Sequence, residues 1–256
     1  MNIPLLEARA LTVAIAGKIV CRNLDLRLAA GDCLALLGPN GIGKTTLLHT
    51  LAGLRAPARG EILLDGRPIR SLSRRRIAQR LGLLMQQPEE SLPASVLEIA
   101  LIGRHPHIDF WRWESHADVN LARRALKLVG LEGLEQRVQS QLSGGERRRL
   151  DIATILTQDA PALLLDEPTH QLDLHYQLAL LAHFRLLARD HGHGVIMSLH
   201  DANLAVRFCT QVLLVHGQGE TTLAPVTNLN AEILSGLYHV PMTAVRARGG
   251  SVFLPG

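Results

Sequence analysis

The run Gly38-Pro39-Asn40-Gly41-Ile42-Gly43-Lys44-Thr45 satisfies GxxxxGK[ST] at every fixed position. Its glycines let backbone N–H groups turn inward around a β-phosphate. Lys44 offers an ammonium between the β- and γ-phosphates, and Thr45 offers a hydroxyl to Mg²⁺. Thr46 is placed for a contact near the α-phosphate. A helix beginning here adds its partial positive charge. The chemistry is that of a magnesium-bound nucleoside triphosphate.

Apolar Ala162 to Leu165 run into two carboxylates, Asp166 and Glu167, followed by Pro168. Carboxylates at the end of a buried strand are costly unless they have a task. Asp166 is placed to reach Mg²⁺, directly or through water, and Glu167 to orient or deprotonate an attacking water. His200 closes the apolar run VIMSLH, so in a parallel sheet it reaches the same pocket and can sense the γ-phosphate. Gln86 closes LGLLMQ, where its amide could ligate Mg²⁺ or hold the water; Gln87 competes for that role. A second anion-suited turn, QLSGGERRR, holds Ser143, Gly144 and Gly145 just before a helical pattern. One core sheet offers one phosphate loop. The second turn therefore suggests a two-fold dimer, each LSGGE lying over the other copy's loop with ATP between them.

These residues need a scaffold that gathers strand ends on one side. The elements alternate: strands at 6–15, 19–28 and 33–37, a helix after the phosphate loop, then EILLDGRPI, RRRIAQR and LGLLMQ. ALLLDEP, a helix over QLALLAHFRLLARDHG, the strand GVIMSLH, the helix start DANLAVRF and the strand QVLLVHGQG follow. Several strands are almost wholly apolar, which predicts an α/β fold, a P-loop NTPase core with a mostly parallel sheet. Leu24, Leu26 and Leu28 alternate with Asp25 and Arg27, which predicts an antiparallel β-subdomain beside it. Residues 88–149 lean helical and read as an inserted helical subdomain, and 222–256 as a short, loosely patterned extension closing on the strand SVFLP.

With 256 residues, 47% of them hydrophobic, the chain suits a single large domain with an aliphatic core. No apolar run is long enough to span a membrane, and MNIPLLEARALTV has no secretory pattern, so a cytosolic location is expected. Cys21, Cys33 and Cys209 read as buried small hydrophobes. Of 27 basic residues only Lys18, Lys44 and Lys127 are lysines. Arg74-Arg75-Arg76 reads as a solvated helix face or a contact within the protein rather than a nucleic-acid site, since no aromatic residues interleave it. The pairs His105/His107 and His191/His193 lack a third ligand at a sensible spacing for a metal.

Taken together, GPNGIGKTT, LSGGE, LLLDEP, HQLD at 170–173, His200 and Gln86 occur in the order found in the nucleotide-binding subunits of ATP-binding-cassette (ABC) transporters, which the chain resembles over about residues 5 to 220. The resemblance implies an ATP hydrolase with Mg²⁺ as cofactor. It implies that Ser143, Gly144 and Gly145 contact the γ-phosphate held by the partner copy, and that Asp173 joins the dimer contacts. LIGRHPH at 101–107, LLLDEPTHQLDLHYQ and the tail LNAEILSGLYHVPM resemble ATPases of ferric-siderophore, haem and cobalamin importers. That implies membrane permease subunits, a periplasmic binding protein and a place on the cytoplasmic side of the inner membrane, with no nucleic-acid partner. Another transporter ATPase, including an exporter's, and a soluble ATPase of repair, translation or iron–sulfur assembly are the alternatives. One departure is the loop Val13-Ala14-Ile15-Ala16-Gly17, which lacks the aromatic that many members stack on adenine, so weaker or less base-selective binding is expected. Glu146 stands where Gln is frequent.

Overall fold

The computed structural model describes residues 3–86, 93–109, 111–247 and 250–256. β1 (Leu6–Ile15) and β2 (Lys18–Leu28) form an antiparallel hairpin. Its turn places Ala16 and Gly17 at φ 48° and 78°, the doubly left-handed geometry that matches strand twist. β3 (Cys33–Leu37) is buried along its whole length and enters the phosphate loop, from which α1 (Lys44–Leu51) departs. β4 (Arg59–Leu64) and β5 (Arg67–Pro68) complete a four-stranded antiparallel sheet in the order β2-β1-β4-β5. α2 (Arg74–Arg80) leads into β6 (Leu81–Leu84).

The helical insert follows, with α3 (Val96–Ile102), α4 (His116–Leu128) and α5 (Gly144–Gln158) packed on one another. Each starts with a reciprocal capping box, Ser95/Glu98, Ser115/Asp118 and Ser143/Glu146, which satisfies orphan N–H groups at the first turn. The LIGRHPH segment joins these helices. A Cβ on Gly103 would sit 2.2 Å from Thr154 O of α5, so only glycine permits the approach. Arg104 pairs with Asp118 at 2.7 Å and donates to Thr157 O and Gln158 O. His107 Nε2 lies 2.9 Å from Gln158 O. On α2, Arg75 donates to Pro106 O, Ile108 O and Asp109 Oδ1, so part of the arginine run fastens the insert to the core.

β7 (Ala162–Leu165), α6 (Leu174–His191), β8 (Gly194–Ser198), α7 (Ala202–Phe208), β9 (Gln211–Gly217) and β10 (Glu220–Pro225) finish the core. Its six-stranded sheet runs β10-β9-β3-β8-β7-β6, parallel except for β10 on β9. This is the expected P-loop NTPase core, with its N-terminal antiparallel subdomain and helical insert. One apolar cluster fills the space between α1 and the two sheets, around Leu6, Leu28, Leu36, Leu47 and Ile196. Another lies under the insert and α6, around Leu37, Leu165, Phe184 and Met197.

Two details depart from the sequence reading. Residue 222 falls inside β10, a strand of the core sheet, so the extension starts after Pro225. That extension is also more ordered than its pattern suggests. α8 (Ala231–Tyr238) buries Leu234 and Leu237, and β11 (Met242–Ala247) pairs with β12 (Gly250–Pro255). In addition, the parallel pairing of β3 with β9 brings Cys33 and Cys209 together, buried free thiols with Sγ atoms 3.7 Å apart.

Candidate active site

Parallel β3, β6, β7 and β8 deliver their C-terminal ends to one edge of the sheet, and every side chain expected to act on the nucleotide of its own subunit lies there. Gly43 sits at φ 110°, and a Cβ on it would come within 2.5 Å of Val20, so the loop closes against β2 only with glycine at that position. Lys44 is buried, and its Nζ donates to Gly38 O at 2.7 Å and Pro39 O at 3.1 Å, which aims the ammonium back into the loop. Burial lowers its pKa, opposed by the charges of Glu167 and Asp166. Thr45 and Thr46 occupy the first turn of α1, while Asn40 and Gly41 at the loop's crest are exposed.

Asp166 is 1% exposed. Its Oδ1 accepts from Ser198 Oγ at 2.6 Å, and its Oδ2 is buried with no hydrogen-bond partner among the described residues. An orphaned carboxylate oxygen beside the phosphate loop fits a hard divalent cation with oxygen ligands, and Mg²⁺ is such an ion. Glu167 follows at φ 47°, which turns it out of the strand direction. Its N–H donates to Ser198 Oγ at 2.8 Å, so that one hydroxyl orients both acids. Its carboxylate is held on both sides: Oε1 lies 2.9 Å from His200 Nε2, and Oε2 accepts from Gln86 Nε2 at 3.3 Å. Three residues spaced far apart in sequence thus meet at one carboxylate. Gln86 lies just past β6, which ends at Leu84, and its amide faces Glu167; Gln87 lies outside the described residues.

The second turn opens α5, the helix that also carries Arg148. Ser143 is the exposed N-cap of α5, with Gly144 and Gly145 as its first residues. Glu146 earns its place as the other half of the capping box: its carboxylate accepts from Ser143 N at 2.8 Å, and its N–H donates to Ser143 Oγ at 3.3 Å. A Cβ on Gly145 would lie 3.1 Å from Gln171 O, which places the HQLD loop against the turn. Asp173 caps α6 through Tyr176 N at 3.0 Å and is itself exposed.

Two residues absent from the sequence reading organise the site. Arg148 is 1% exposed, and its guanidinium donates to Met85 O at 2.8 Å and to Asp166 O and Glu167 O at 2.7 Å each. It fastens α5 to both acids and to the residue before Gln86. The sign was an arginine four residues before buried Ile152 on the apolar stripe of α5. The other is Ser198, 0% exposed, the one polar side chain in buried β8.

A phosphate loop on a parallel sheet, with a cation-seeking aspartate and a braced glutamate beside it, defines a P-loop ATPase. The ABC transporter family model matches residues 21–170. The chain is 36% identical over 250 residues to the achromobactin transport ATP-binding protein CbrD of Dickeya dadantii (strain 3937), covering 93% of each chain. It is 38% identical over 244 residues to the hemin import ATP-binding protein HmuV of Bordetella pertussis, covering 92% of each. A solved structure of a metal-chelate type ABC transporter in an inward-facing conformation aligns with a TM-score of 0.84 at 30% identity, over 99% of this chain and 98% of that one. The chain belongs to the ABC transporter family as a nucleotide-binding subunit related to the ATPases of siderophore and haem importers. Among the described residues, no helix is long and apolar enough to cross a membrane.

Proposed function

We propose that this subunit closes as a homodimer around two Mg-ATP and powers import of an iron chelate, siderophore or haem, or of cobalamin. It would do so from the cytoplasmic face of the inner membrane, through permease subunits fed by a periplasmic binding protein. The carrying observation is the Gln86–Glu167–His200 cluster beside the phosphate loop, in a chain that aligns almost end to end with siderophore and haem import ATPases.

Gly38, Pro39, Asn40, Gly41 and Gly43 form the backbone cradle, and Lys44 neutralises the β- and γ-phosphates. Thr45 and Asp166 would hold Mg²⁺, with Gln86 as a further ligand as the γ-phosphate site fills. Bound there, the cation supplies charge neutralisation for the leaving phosphates. Glu167 takes the proton of the attacking water, and His200 holds that carboxylate in place and reaches toward the γ-phosphate. Ser143, Gly144 and Gly145 reach the nucleotide of the partner copy, and Asp173 joins the same face. Gln86 would lie where the helical insert meets the permease; the residues that follow it, 87–92, lie outside the described residues.

The test is to tag the Glu167→Gln variant, purify it from membranes of its host with Mg-ATP, and identify what accompanies it by mass spectrometry. A polytopic membrane protein at a one-to-one ratio is expected, and its identity narrows the cargo. A soluble or ribosomal partner with no membrane protein would overturn the transport reading and leave the ATPase site intact.

A further inference from the structure

The C-terminal module of α8, β11 and β12 lies beside His200. Asn203 Nδ2 donates to Phe253 O at 3.0 Å, and Phe253 N donates to Asn203 Oδ1 at 2.7 Å. This is a two-bond clamp from β12 onto the second residue of α7, three residues after His200. Phe253 is 4% exposed and shares the core cluster with Leu234 and Leu237 of α8. Met242 N donates to Ser235 Oγ at 2.8 Å, which ties the hairpin to α8. Between this module and His200 lies an open cavity of about 440 Å³, lined by His200, Asp201, Asn203, Tyr238 and Phe253 among others.

α7 has seven residues, too few to hold a helical segment by its own hydrogen bonds. Its start is held by the Asp201 cap, through Asn203 N at 2.8 Å, and by the Asn203 clamp. The His200 side chain is 46% exposed, and among the described residues Glu167 is its one hydrogen-bonding or ion-pair partner. Where that ring sits is therefore decided by its backbone. On one side Leu199 N donates to Leu36 O at 3.2 Å; on the other the chain is pinned through Asn203. We infer that Asn203 is a positioning residue for His200 and that the C-terminal hairpin, by gripping Asn203, sets the rate of ATP hydrolysis. This rests on the role proposed for His200.

The experiment uses the full purified chain, with kcat and KM for Mg-ATP and thermal unfolding measured for each variant. Asn203→Ala should lower kcat about tenfold while KM stays within about twofold, because misplacing a catalytic group costs turnover more than binding. Asn203→Asp keeps the acceptor for Phe253 N–H, should fold if the alanine variant does not, and should recover part of the loss. In a His200→Ala background, Asn203→Ala should leave the residual turnover within about twofold, since a residue acting through His200 has nothing left to position. An equal loss in both backgrounds, or a lowered unfolding temperature with unchanged kcat, would overturn the positioning role. A His200→Ala variant with wild-type turnover would remove the role of His200 itself, and the role of Asn203 with it.

Discussion

His200 Nε2 lies 2.9 Å from Glu167 Oε1, although β8 and β7 deliver the two residues by separate routes. The imidazole braces one oxygen of the carboxylate and the Gln86 amide the other, so the two contacts together fix its rotamer. Removing the carboxylate charge without changing shape separates binding from chemistry. Glu167→Gln should lower kcat by about 10²- to 10⁴-fold, the range for loss of a general base. Its affinity for Mg-ATP should stay near wild type. Phosphate release and nucleotide binding, measured on one preparation, check both. Near-normal turnover would require another base.

The Ser198 hydroxyl donates to Asp166 Oδ1 and accepts from Glu167 N. Ser198→Ala removes both contacts in a fully buried position, with little change in volume. Partners behind a metal ligand typically contribute about 10–100-fold in metal affinity or activity. The variant is therefore expected to need about tenfold more Mg²⁺ for half-maximal ATPase activity, with lower kcat at saturation. A magnesium titration at fixed ATP reads this directly; an unchanged midpoint would show that Asp166 is oriented without Ser198.

That the proposed site residues converge was largely legible, because each stands in a local sequence pattern. Lys44, Thr45, Asp166, Glu167 and His200 each end or begin an element whose pattern is plain, and a parallel sheet brings such ends together. Arg148 and Ser198 were not legible in the same way. Each bonds backbone or a carboxylate across elements far apart in the chain, and nothing adjacent to either marks that partner. The tail failed for another reason. Its hairpin rests on buried Phe253 and partly buried Met242, while Val245 and Leu254 stay exposed, so the alternation that signals a half-buried strand is missing. The Cys33–Cys209 contact depended on sheet order, which spacing does not reveal.

Asp151 gives a pH signature. Burial raises its carboxyl to about 6 from an ordinary 3.8, with the Arg148 charge partly opposing the shift. The folded state therefore holds this proton more tightly than the unfolded state. Stability from this group is fully present below the ordinary value and is lost as pH rises through about 6. An uncharged isostere removes that loss, so Asp151→Asn should stabilise the protein by about 1–3 kcal/mol at pH 8 and by almost nothing at pH 4. Urea unfolding of both proteins at the two pH values checks it. Equal differences at both would mean that Asp151 is not protonated on folding.

Ser143 tests whether the site is completed by a second copy. It is an exposed N-cap, so a large side chain there meets solvent in one subunit, and under the proposed shared site it would meet the partner's nucleotide in a closed dimer. Losing a serine cap costs about 1 kcal/mol, small against the stability of a typical domain. Ser143→Arg should therefore fold and bind Mg-ATP as a monomer with affinity within about twofold of wild type, since Lys44 and its loop lie in the same chain. With Glu167→Gln to block turnover, Mg-ATP should drive dimerisation of the single variant and fail to drive it in the double variant. Sedimentation velocity with and without Mg-ATP distinguishes the two. A double variant that still dimerises with Mg-ATP would show that Ser143 lies outside the nucleotide interface and would overturn the shared site.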